Sequence, residues 1–341
     1  MIKNATGVKT MDNAIGKMIK AKAVLAPMAG VTDIPFRMMA RKNGCAFAFT
    51  EMVDSSGVIY KNHKTFKLLE RVPGDEPLGV QIVGEDEDKL LHVAKVCEDR
   101  GFGVIDLNAG CPVRKIVKQG KGSALLKNPA KLAAIVRTLV KSLSVPLTVK
   151  IRSGWGDDNL NYMEVARLLE GEGVSAICVH PRTKEAMHKG EVNYGIVGEL
   201  KENLSIPVFA SGNIFTALDA ISVLENTGCD AVFVARGALG RPWIFKEINN
   251  ALLGTPKEEV LPFCEVKKAM LKHFKLALQF YDEHLAASRM YKYITWYLRK
   301  RKNLDTVMKR YRSVRNLEDF EDFLSRLHMN EKNHLKLSQS L

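Results

Sequence analysis

The sequence predicts an α/β protein, a (β/α)8 TIM barrel followed by a small all-helical C-terminal domain. Eight short apolar runs alternate with stretches of helical spacing. The runs are continuous rather than alternating in polarity, which is typical of parallel strands that are covered on both faces. A chain of 341 residues has room for a barrel of about 250 residues and an appendage. An open, doubly wound sheet is the competing architecture.

The eight predicted strands follow one another along the chain at residues 23–26, 46–52, 78–83, 104–107, 147–151, 176–179, 208–210 and 231–235. Helical spacing between them is clearest in residues 86–100, 129–143, 162–171 and 216–227. Glycine or proline marks the joins, as at Gly173, Pro207 and Gly228. This order predicts eight units in which a strand is followed by a helix.

Chemically distinctive residues stand at the C-terminal ends of nearly all the predicted strands. In a barrel these ends converge on one mouth, whereas in an open sheet they lie along a line and ligands bind in one crevice. Convergence explains the whole set better, so we favour the barrel. The strand-end residues are Pro27-Met28-Ala29-Gly30, Glu51, Gln81, Asn108, Lys150, His180, Ser211-Gly212-Asn213 and Arg236-Gly237.

The pattern changes after residues 241–245. From Phe263 onward only helical spacing remains, with apolar residues at positions 266, 270, 274, 278 and 281. We predict a barrel domain at 1–251, a linker at 252–262, a helical domain at 263–330 and a flexible tail at 331–341. The linker contains Gly254, Pro256 and Pro262.

The composition is that of an ordinary globular protein with an excess of positive charge. Hydrophobic residues make up 46% and charged residues 26%, and the net charge is +13. Nucleic acid is the leading candidate for an anionic partner, and a generically basic cytosolic protein is the alternative. No apolar run reaches the roughly 20 residues of a membrane span, and residues 1–23 lack the apolar core of a secretion signal.

The six cysteines stand singly, without the spacing of metal ligands or of a disulfide framework. We therefore expect a reducing, cytoplasmic location, no membrane attachment and no metal. Cys111 is the candidate for chemistry, because the apolar run 103–107 ends in Asn108-Ala109-Gly110-Cys111-Pro112. A thiol between glycine and proline just past a strand end is positioned for reaction rather than for packing. A cysteine that is simply a small buried hydrophobe is the alternative.

Two glycine-bearing turns favour a phosphate-bearing ligand. They are Ser211-Gly212-Asn213 after the seventh strand and Arg236-Gly237-Ala238 after the eighth. Barrels usually hold a phosphate at this place, with backbone N–H groups and a helix N-terminus. Glycines that only turn the chain are the alternative. No GxGxxG motif follows a strand, so a Rossmann-type nicotinamide domain is not predicted.

Lys150 ends an apolar strand, and a buried lysine needs an anionic partner. A reduced flavin, with negative charge near N1 and O2, is such a partner, and a lysine that snorkels to the surface is the alternative. Gln81 and Asn108 offer amide groups suited to the edge of a flavin or a pyrimidine. His180 can donate or accept a proton near pH 7, or it can be a satisfied core histidine.

Residues 289–315 form a strongly basic stretch, with ten lysines and arginines against the single acid Asp305. Tyr291, Tyr293, Trp296, Tyr297 and Tyr311 are interleaved with them. Basic side chains neutralise phosphates and aromatic rings can stack on unpaired bases, so we expect an RNA-binding surface. A solvated charged face is the alternative.

Taken together, these motifs resemble those of the tRNA-dihydrouridine synthase family, and specifically its bacterial B-type branch, from about Lys20 to about Trp296. Their order and spacing make the resemblance specific. The matching segments are Ala26-Pro27-Met28-Ala29-Gly30-Val31-Thr32-Asp33 with Pro35-Phe36-Arg37, Asn108-Ala109-Gly110-Cys111-Pro112, Gly120-Lys121-Gly122-Ser123-Ala124-Leu125-Leu126, and Arg236-Gly237-Ala238 with Gly240-Arg241-Pro242-Trp243-Ile244-Phe245.

The resemblance implies an FMN-dependent barrel with a helical tRNA-binding domain. The implied reaction reduces the C5=C6 bond of uridine, with hydride passing from NADPH or NADH through FMN and a proton coming from Cys111. The implied partner is tRNA, with ribosomal RNA left open, and we expect a monomer. Cofactor contacts are expected from Pro27, Met28, Ala29, Gln81, Lys150, His180, Ser211, Gly212, Asn213, Ala235 and Arg236, and substrate contacts from Asn108, Arg182, Arg289, Lys292 and Arg299.

The chain departs from the family pattern at four places. Ser211-Gly212-Asn213 stands where Asn-Gly-Asp is common, and Ala235 stands where glycine is usual. Backbone donors survive both changes, so we expect flavin binding to persist. Pro181 replaces a common glycine after His180, and Tyr291-Lys292-Tyr293 replaces a usual Arg-Lys-His.

Two rival functions fit parts of the sequence. An FMN barrel acting on a free pyrimidine, like dihydroorotate or dihydropyrimidine dehydrogenases, would use Cys111 but leave residues 289–315 idle. A non-catalytic RNA-binding protein with a vestigial barrel would use the basic stretch alone. Activity on free uracil or orotate would favour the first, and colourless protein that still binds tRNA would favour the second.

Overall fold

Eight parallel strands form a closed barrel in the computed structural model, which describes residues 13–255, 261–330 and 333–337. Each strand pairs with the next, and the first also pairs with the eighth. This closure confirms the predicted barrel and excludes the open sheet. The strands are Ala23–Leu25 (β1), Phe47–Asp54 (β2), Leu78–Val83 (β3), Ile105–Asn108 (β4), Leu147–Arg152 (β5), Ala176–His180 (β6), Val208–Ser211 (β7) and Ala231–Val234 (β8).

Helices connect the strands and cover the outside of the barrel. The four helices that the spacing predicts are present at Glu87–Asp99, Pro129–Ser142, Tyr162–Gly171 and Ala217–Thr227. None of the described helices has the length and apolarity that crossing a bilayer requires. The α-helices are Ala14–Ala21 (α1), Ile34–Arg41 (α2), Ser55–Ile59 (α3), His63–Lys67 (α4), Glu87–Asp99 (α5), Arg114–Val117 (α6), Pro129–Ser142 (α7), Tyr162–Gly171 (α8), Gly195–Asn203 (α9), Ala217–Thr227 (α10), Ile244–Leu252 (α11), Phe263–Ala277 (α12), Glu283–Tyr297 (α13), Leu304–Tyr311 (α14) and Leu317–Arg326 (α15).

Phenylalanine side chains fill the barrel interior below its mouth. Phe47, Phe49, Phe209 and Phe233 are all buried. The ring centroid of Phe233 lies 5.5 Å from that of Phe49 and 5.7 Å from that of Phe209. Because a packed barrel interior is a core rather than a pore, ligands bind at the C-terminal mouth above this cluster.

The C-terminal region is helical, as predicted, and consists of α12 to α15 with a short antiparallel pair of strands. Leu327–Met329 (β9) pairs with Leu335–Leu337 (β10). The sequence analysis did not predict this pair, because strands of three residues are too short for a repeating polarity pattern. Residues 256–260 of the predicted linker, and residues 331, 332 and 338–341 of the predicted tail, lie outside the described residues.

The tyrosines of the basic stretch form a core rather than an exposed stacking surface. Tyr293, Tyr297 and Tyr311 are only 2%, 3% and 2% exposed. The hydroxyl of Tyr311 donates a hydrogen bond to the carbonyl of Ala287 at 2.9 Å. The expectation that these rings stack on RNA bases is therefore wrong for the three buried tyrosines, whereas Tyr291 is exposed.

Helix α13 docks on the segment that follows β1. The hydroxyl of Tyr293 donates to the carbonyl of Val31 at 2.6 Å and to Asp33 Oδ1 at 3.1 Å. The Tyr293 ring stacks on Phe36 with centroids 5.5 Å apart, and Arg289 Nη1 lies 3.3 Å from Asp33 Oδ2. Tyr293, which departs from the family pattern, therefore joins the helical region to the barrel close to its mouth.

Gly240 makes a second close approach between the barrel and α13. Its φ is +66°, and a Cβ added there would overlap the backbone of Trp296 and Tyr297. We expect Gly240→Ala to lower the free energy of unfolding by about 2–5 kcal/mol, because strain at positive φ adds to overpacking. Urea titration of the full chain measures this loss.

Gly254→Ala is the matched control for that substitution. Gly254 also has a positive φ, +78°, but no atom of the described residues lies within 4 Å of its added Cβ. This variant should lose only about 1–2 kcal/mol, which is the strain of a left-handed alanine. Equal losses in the two variants would show that the approach of Gly240 to α13 contributes nothing beyond backbone strain.

Candidate active site

One cavity at the barrel mouth brings together most of the residues that the sequence analysis selected. Its volume is about 290 Å³, at the lower end of the range for ligand pockets. Gln81, Lys150 and Asn213 all face it, as the predicted convergence of strand ends requires. The predicted residues that line the cavity are Pro27, Met28, Ala29, Gln81, Asn108, Cys111, Lys150, His180, Ser211, Gly212, Asn213, Ala235 and Arg236.

The pairing register explains why the side chains of β3, β4 and β5 meet. Asn108 stands opposite Lys150, and Gln81 stands opposite Asp106. The amide Nδ2 of Asn108 donates to Gln81 Oε1 at 2.8 Å. Asn108 Oδ1 in turn accepts from the backbone N–H of Cys111 at 2.8 Å. The loop that carries the thiol is thus fixed to the end of β4 by a side chain of that strand.

Cys111 lies at the edge of this cavity as a partly buried thiol. Burial raises the pKa of the Cys111 thiol, against smaller opposing effects of the Val113 backbone N–H and the Arg152 cation. The thiol is therefore protonated at neutral pH. Ser123 Oγ donates to the carbonyl of Cys111 at 2.9 Å, so the backbone of Cys111 is held on both sides. Such a group can deliver a proton to a ligand in the cavity.

The walls of the cavity are cationic. Lys150, Arg152 and Arg236 line it, and no aspartate or glutamate occurs among the described residues that do so. Burial and the neighbouring Arg182 cation lower the pKa of Arg152 to about 10, and the guanidinium remains charged at neutral pH. Arg152 Nε donates to the carbonyl of Gly110 at 2.8 Å, next to Cys111. This charge favours an anionic ligand.

Two histidines face each other at the mouth. The rings of His180 and His188 have centroids 5.8 Å apart. Burial lowers the pKa of both, and nearby cations, among them Lys150 and Arg152, lower them further. Both imidazoles are therefore neutral at physiological pH, and each offers one donor and one acceptor.

The turn after β7 has the backbone needed for close approach to a ligand. Gly212 has a φ of +121°, and an added Cβ would lie 3.1 Å from the His180 ring. Asn213 has a φ of +45°, and its Oδ1 accepts from Arg182 Nη1 at 3.1 Å and from Arg236 Nη2 at 3.2 Å. Arg182 does not itself line the cavity but orients Asn213 from behind. Its Nε is buried and has no hydrogen-bond partner among the described residues.

Three predicted substrate residues lie outside this cavity, between the barrel and the helical region. Arg289 pairs with Asp33, and Lys292 Nζ donates to the carbonyl of Gly30. Arg299 Nη1 approaches the carbonyl of Arg236 at 3.5 Å. Arg289 and Lys292 line a separate cleft of about 700 Å³.

Sequence reasoning missed several residues that line the cavity. His188 lies in a loop after β6 with no motif around it, so no signal identified it. Arg152 ends β5 two residues after Lys150, and its position at a strand end could have marked it. Met52, Phe215 and Phe233 are apolar lining residues, which a search for polar chemistry does not find.

Comparison with known protein families identifies the family of this chain. The model of the family described as dihydrouridine synthase (Dus) matches residues 24–332. The chain belongs to the dihydrouridine synthase family. The resemblance noted from the motifs is therefore confirmed. Within the described ranges, no group of three or more histidine, cysteine, aspartate or glutamate side chains is arranged to hold a metal ion.

Curated members of the dihydrouridine synthase family match over most of their length. The tRNA-dihydrouridine synthase B of Proteus vulgaris is 37% identical, over 90% of this chain and 97% of that protein. The protein of the same name from Pseudomonas aeruginosa is 40% identical, over 81% of this chain and 83% of that protein. Both alignments cover more than four fifths of this chain.

Solved structures of low sequence identity share the fold. A histamine dehydrogenase from a Rhizobium species aligns with a TM-score of 0.51 at 11% identity, covering 75% of this chain and 49% of that one. A 2-naphthoyl-CoA reductase aligns with a TM-score of 0.53 at 12% identity, covering 69% and 50%. At such identities the likeness shows the fold alone.

Proposed function

We propose that this protein is a flavin-dependent tRNA-dihydrouridine synthase that reduces the C5=C6 bond of uridine with NADPH or NADH through FMN. The observation that carries the proposal is the single cavity that holds a protonated thiol, two amide side chains and a cationic wall. The names of the relatives, tRNA-dihydrouridine synthase B, support tRNA as the substrate. The proposed domains are a catalytic barrel at 1–251 and a tRNA-binding region at 263–330, joined by the linker at 252–262.

The residues present fit FMN in their donors and charges. The Gly212 turn leaves no side chain between backbone and ligand, and Arg236 adds a guanidinium suited to a phosphate. The unpartnered Nε of Arg182 is a further buried donor behind this turn. Lys150 and Gln81 also line the cavity and suit the polar edge of the ring, and Pro27, Met28 and Ala29 are further lining residues. Bound FMN supplies reversible acceptance and donation of hydride.

Cys111 has the protonation state that proton transfer to C5 of uridine needs. Addition of hydride to C6 of uracil leaves negative charge toward C5, which must take a proton. The thiol is protonated, partly buried and held by its backbone, so it can donate at a fixed place. Neutral His180 and the amide of Asn108 can bind the polar edge of the base without competing for that proton.

A uridine in folded RNA has to leave its stack to reach this cavity, so the protein must hold the RNA elsewhere. The cleft between α4 and α13 suits this role. Arg289 and Lys292 lie on its helical side, and exposed Lys64 and Lys67 lie on its barrel side. Tyr60, just before α4, is 78% exposed and can stack on an unpaired base.

Mapping dihydrouridine in RNA from cells that lack this protein tests the proposed function. Specific uridines of tRNA should remain unreduced, and the purified protein with NADPH or NADH should reduce them in vitro. Bound flavin should be released from the purified protein on denaturation. Reduction of free uracil or orotate without RNA would instead indicate a pyrimidine dehydrogenase, and complete modification of the RNA in those cells would contradict the proposal.

Removal of two lysines from the cleft should weaken RNA binding. We expect Lys64→Ala/Lys67→Ala to reduce the slope of log affinity against log salt by about 2, because each lost phosphate contact removes about 1. The uridine reduction rate at saturating tRNA should not change, since neither residue lines the active-site cavity. Titration of labelled tRNA at several salt concentrations measures the slope.

Lys17→Ala/Lys20→Ala provides the matched control for charge. Both lysines are exposed on α1, which packs against β1, β2 and β8, and Lys17 borders the opposite, N-terminal ends of the strands. This variant removes the same net charge but should retain nearly the full slope of log affinity against log salt. If the two pairs of substitutions weaken binding equally, the cleft has no special role in holding the RNA.

A further inference from the structure

A hydrogen-bonded row of side chains lies beneath the barrel mouth. It fixes the direction in which the amide groups of Gln81 and Asn108 point. The strand register places Asp106 on β4 between Gln81 on β3 and Thr148 on β5. Gln81 Nε2 donates to Asp106 Oδ2 at 2.7 Å, and Thr148 Oγ1 donates to Asp106 Oδ1 at 2.6 Å. Asp106 is only 1% exposed, so these two donors satisfy a carboxylate that water does not reach.

The carboxylate sets the direction of the row because it accepts hydrogen bonds and does not donate them. Gln81 must present its NH₂ group to Asp106, so its Oε1 faces Asn108 and accepts from Nδ2 at 2.8 Å. Asn108 must then turn its Oδ1 toward the N–H groups of Gly110, at 3.1 Å, and Cys111, at 2.8 Å. A reversed Gln81 would place oxygen against oxygen at Asp106 and donors against donors at the Cys111 loop.

We propose that Asp106 is a positioning residue, which acts through Gln81 and Asn108 to hold the backbone of Cys111 and to fix the polarity of both amides at the cavity. The effect of Asp106 on proton delivery by Cys111 rests on the proposed function. The hydrogen-bonded row itself can be tested without any ligand. Asp106 is not among the residues that line the cavity.

The protonation state of Asp106 gives a second readout. Four groups bear on its carboxyl: Gln81, Thr148, the Lys150 cation and the Cys178 thiol of β6. Burial raises the pKa of Asp106 to about 6, against the lowering effects of Gln81, Thr148 and Lys150, whereas burial raises the pKa of Cys178 to about 12. Above pH 6 the carboxylate only accepts. Below that pH the protonated group can also donate, and both orientations of Gln81 become possible.

Hydrogen exchange at the backbone amides of Gly110 and Cys111, measured by NMR on the full chain, tests the proposal. Asp106→Leu should speed exchange at both amides by about tenfold or more, because loss of the acceptor releases the row. Thr148→Val removes the other hydrogen bond to the same carboxylate and should leave exchange unchanged at a pH well above the Asp106 pKa, where the carboxylate still accepts from Gln81. We expect the protection of the wild-type protein to fall in a step as the pH drops through about 6. Asp106→Asn keeps an acceptor for Gln81, so it should retain part of the protection but lack this step.

Gln81→Met interrupts the row at its middle and leaves Asp106 in place, so it decides the question if Asp106→Leu does not fold. It should also speed exchange at Gly110 and Cys111. For uridine reduction, Asp106→Leu should lower kcat while KM for tRNA changes little, since the RNA is held elsewhere. Unchanged exchange in folded Asp106→Leu or Gln81→Met would overturn the positioning role. Faster exchange in those variants, with no uridine reduction by the wild-type protein, would overturn the proposed function and leave the positioning role standing.

Discussion

Replacement of Cys111 by alanine should leave the flavin bound and slow uridine reduction by roughly 10²–10⁴-fold, which is the usual contribution of a positioned acid. The substitution removes the sulfur but not the backbone that Asn108 and Ser123 hold. It also leaves the cationic wall of Lys150, Arg152 and Arg236 in place. A single-turnover assay on unmodified tRNA, with flavin content measured in parallel, separates loss of the acid from loss of the cofactor.

Cys264→Ala is the control for the removal of a thiol. Cys264 is exposed on α12, outside the cavity, and its loss should not change the rate. Because burial raises the pKa of Cys111, the wild-type rate should fall only well into the alkaline range, where the thiol loses its proton. Full activity in Cys111→Ala, or a rate that rises as the thiol ionises, would refute the role of Cys111 as proton donor.

Most of the barrel could be predicted from the sequence because nearly every strand carries two signals, an apolar run and a polar residue near its C-terminal end. An apolar run such as 147–151 marks the strand, and a polar residue such as Lys150 lies near its C-terminal end at the mouth. Closure of the barrel then brings Gln81, Lys150 and Asn213 into one cavity, although they are far apart in sequence. The convergence depends on fold class alone, which is why the order of the strand-end residues was enough to predict that they share one cavity.

The parts that could not be predicted depend on packing that a single sequence does not display. Tyr293 and Tyr311 occur among lysines and arginines, so their burial follows only from contacts with Phe36 and Phe320. His188 reaches the cavity through the path of a loop. The hydrogen-bonded row below Cys111 depends on strand register, and the sequence places Asp106 in an apolar run without showing what lies beside it.

The second large effect is expected at Lys150, the cation two residues before the end of β5. Lys150→Met keeps the aliphatic length and removes the charge that faces the proposed flavin. We expect the midpoint potential of the bound flavin to fall by about 30–60 mV, because a charge-assisted hydrogen bond is worth about 1.5–3 kcal/mol and 1.4 kcal/mol corresponds to about 30 mV for two electrons. Uridine reduction should slow by about 10²-fold or more, as when one electrostatic stabiliser is lost.

Spectroelectrochemical titration of the purified flavoprotein measures that potential without RNA, so the test does not depend on the substrate. Lys184→Met is the matched control, because the Lys184 ammonium lies over the Trp155 ring at 4.4 Å and does not line the cavity. Removal of the Lys150 charge also removes an opposing influence on Asp106, whose pKa should rise further, since the Lys150 cation lowers it. A potential that moves equally in both variants would mean that Lys150 acts only through the net charge of the protein, and an unchanged potential would show that its cation does not face the flavin.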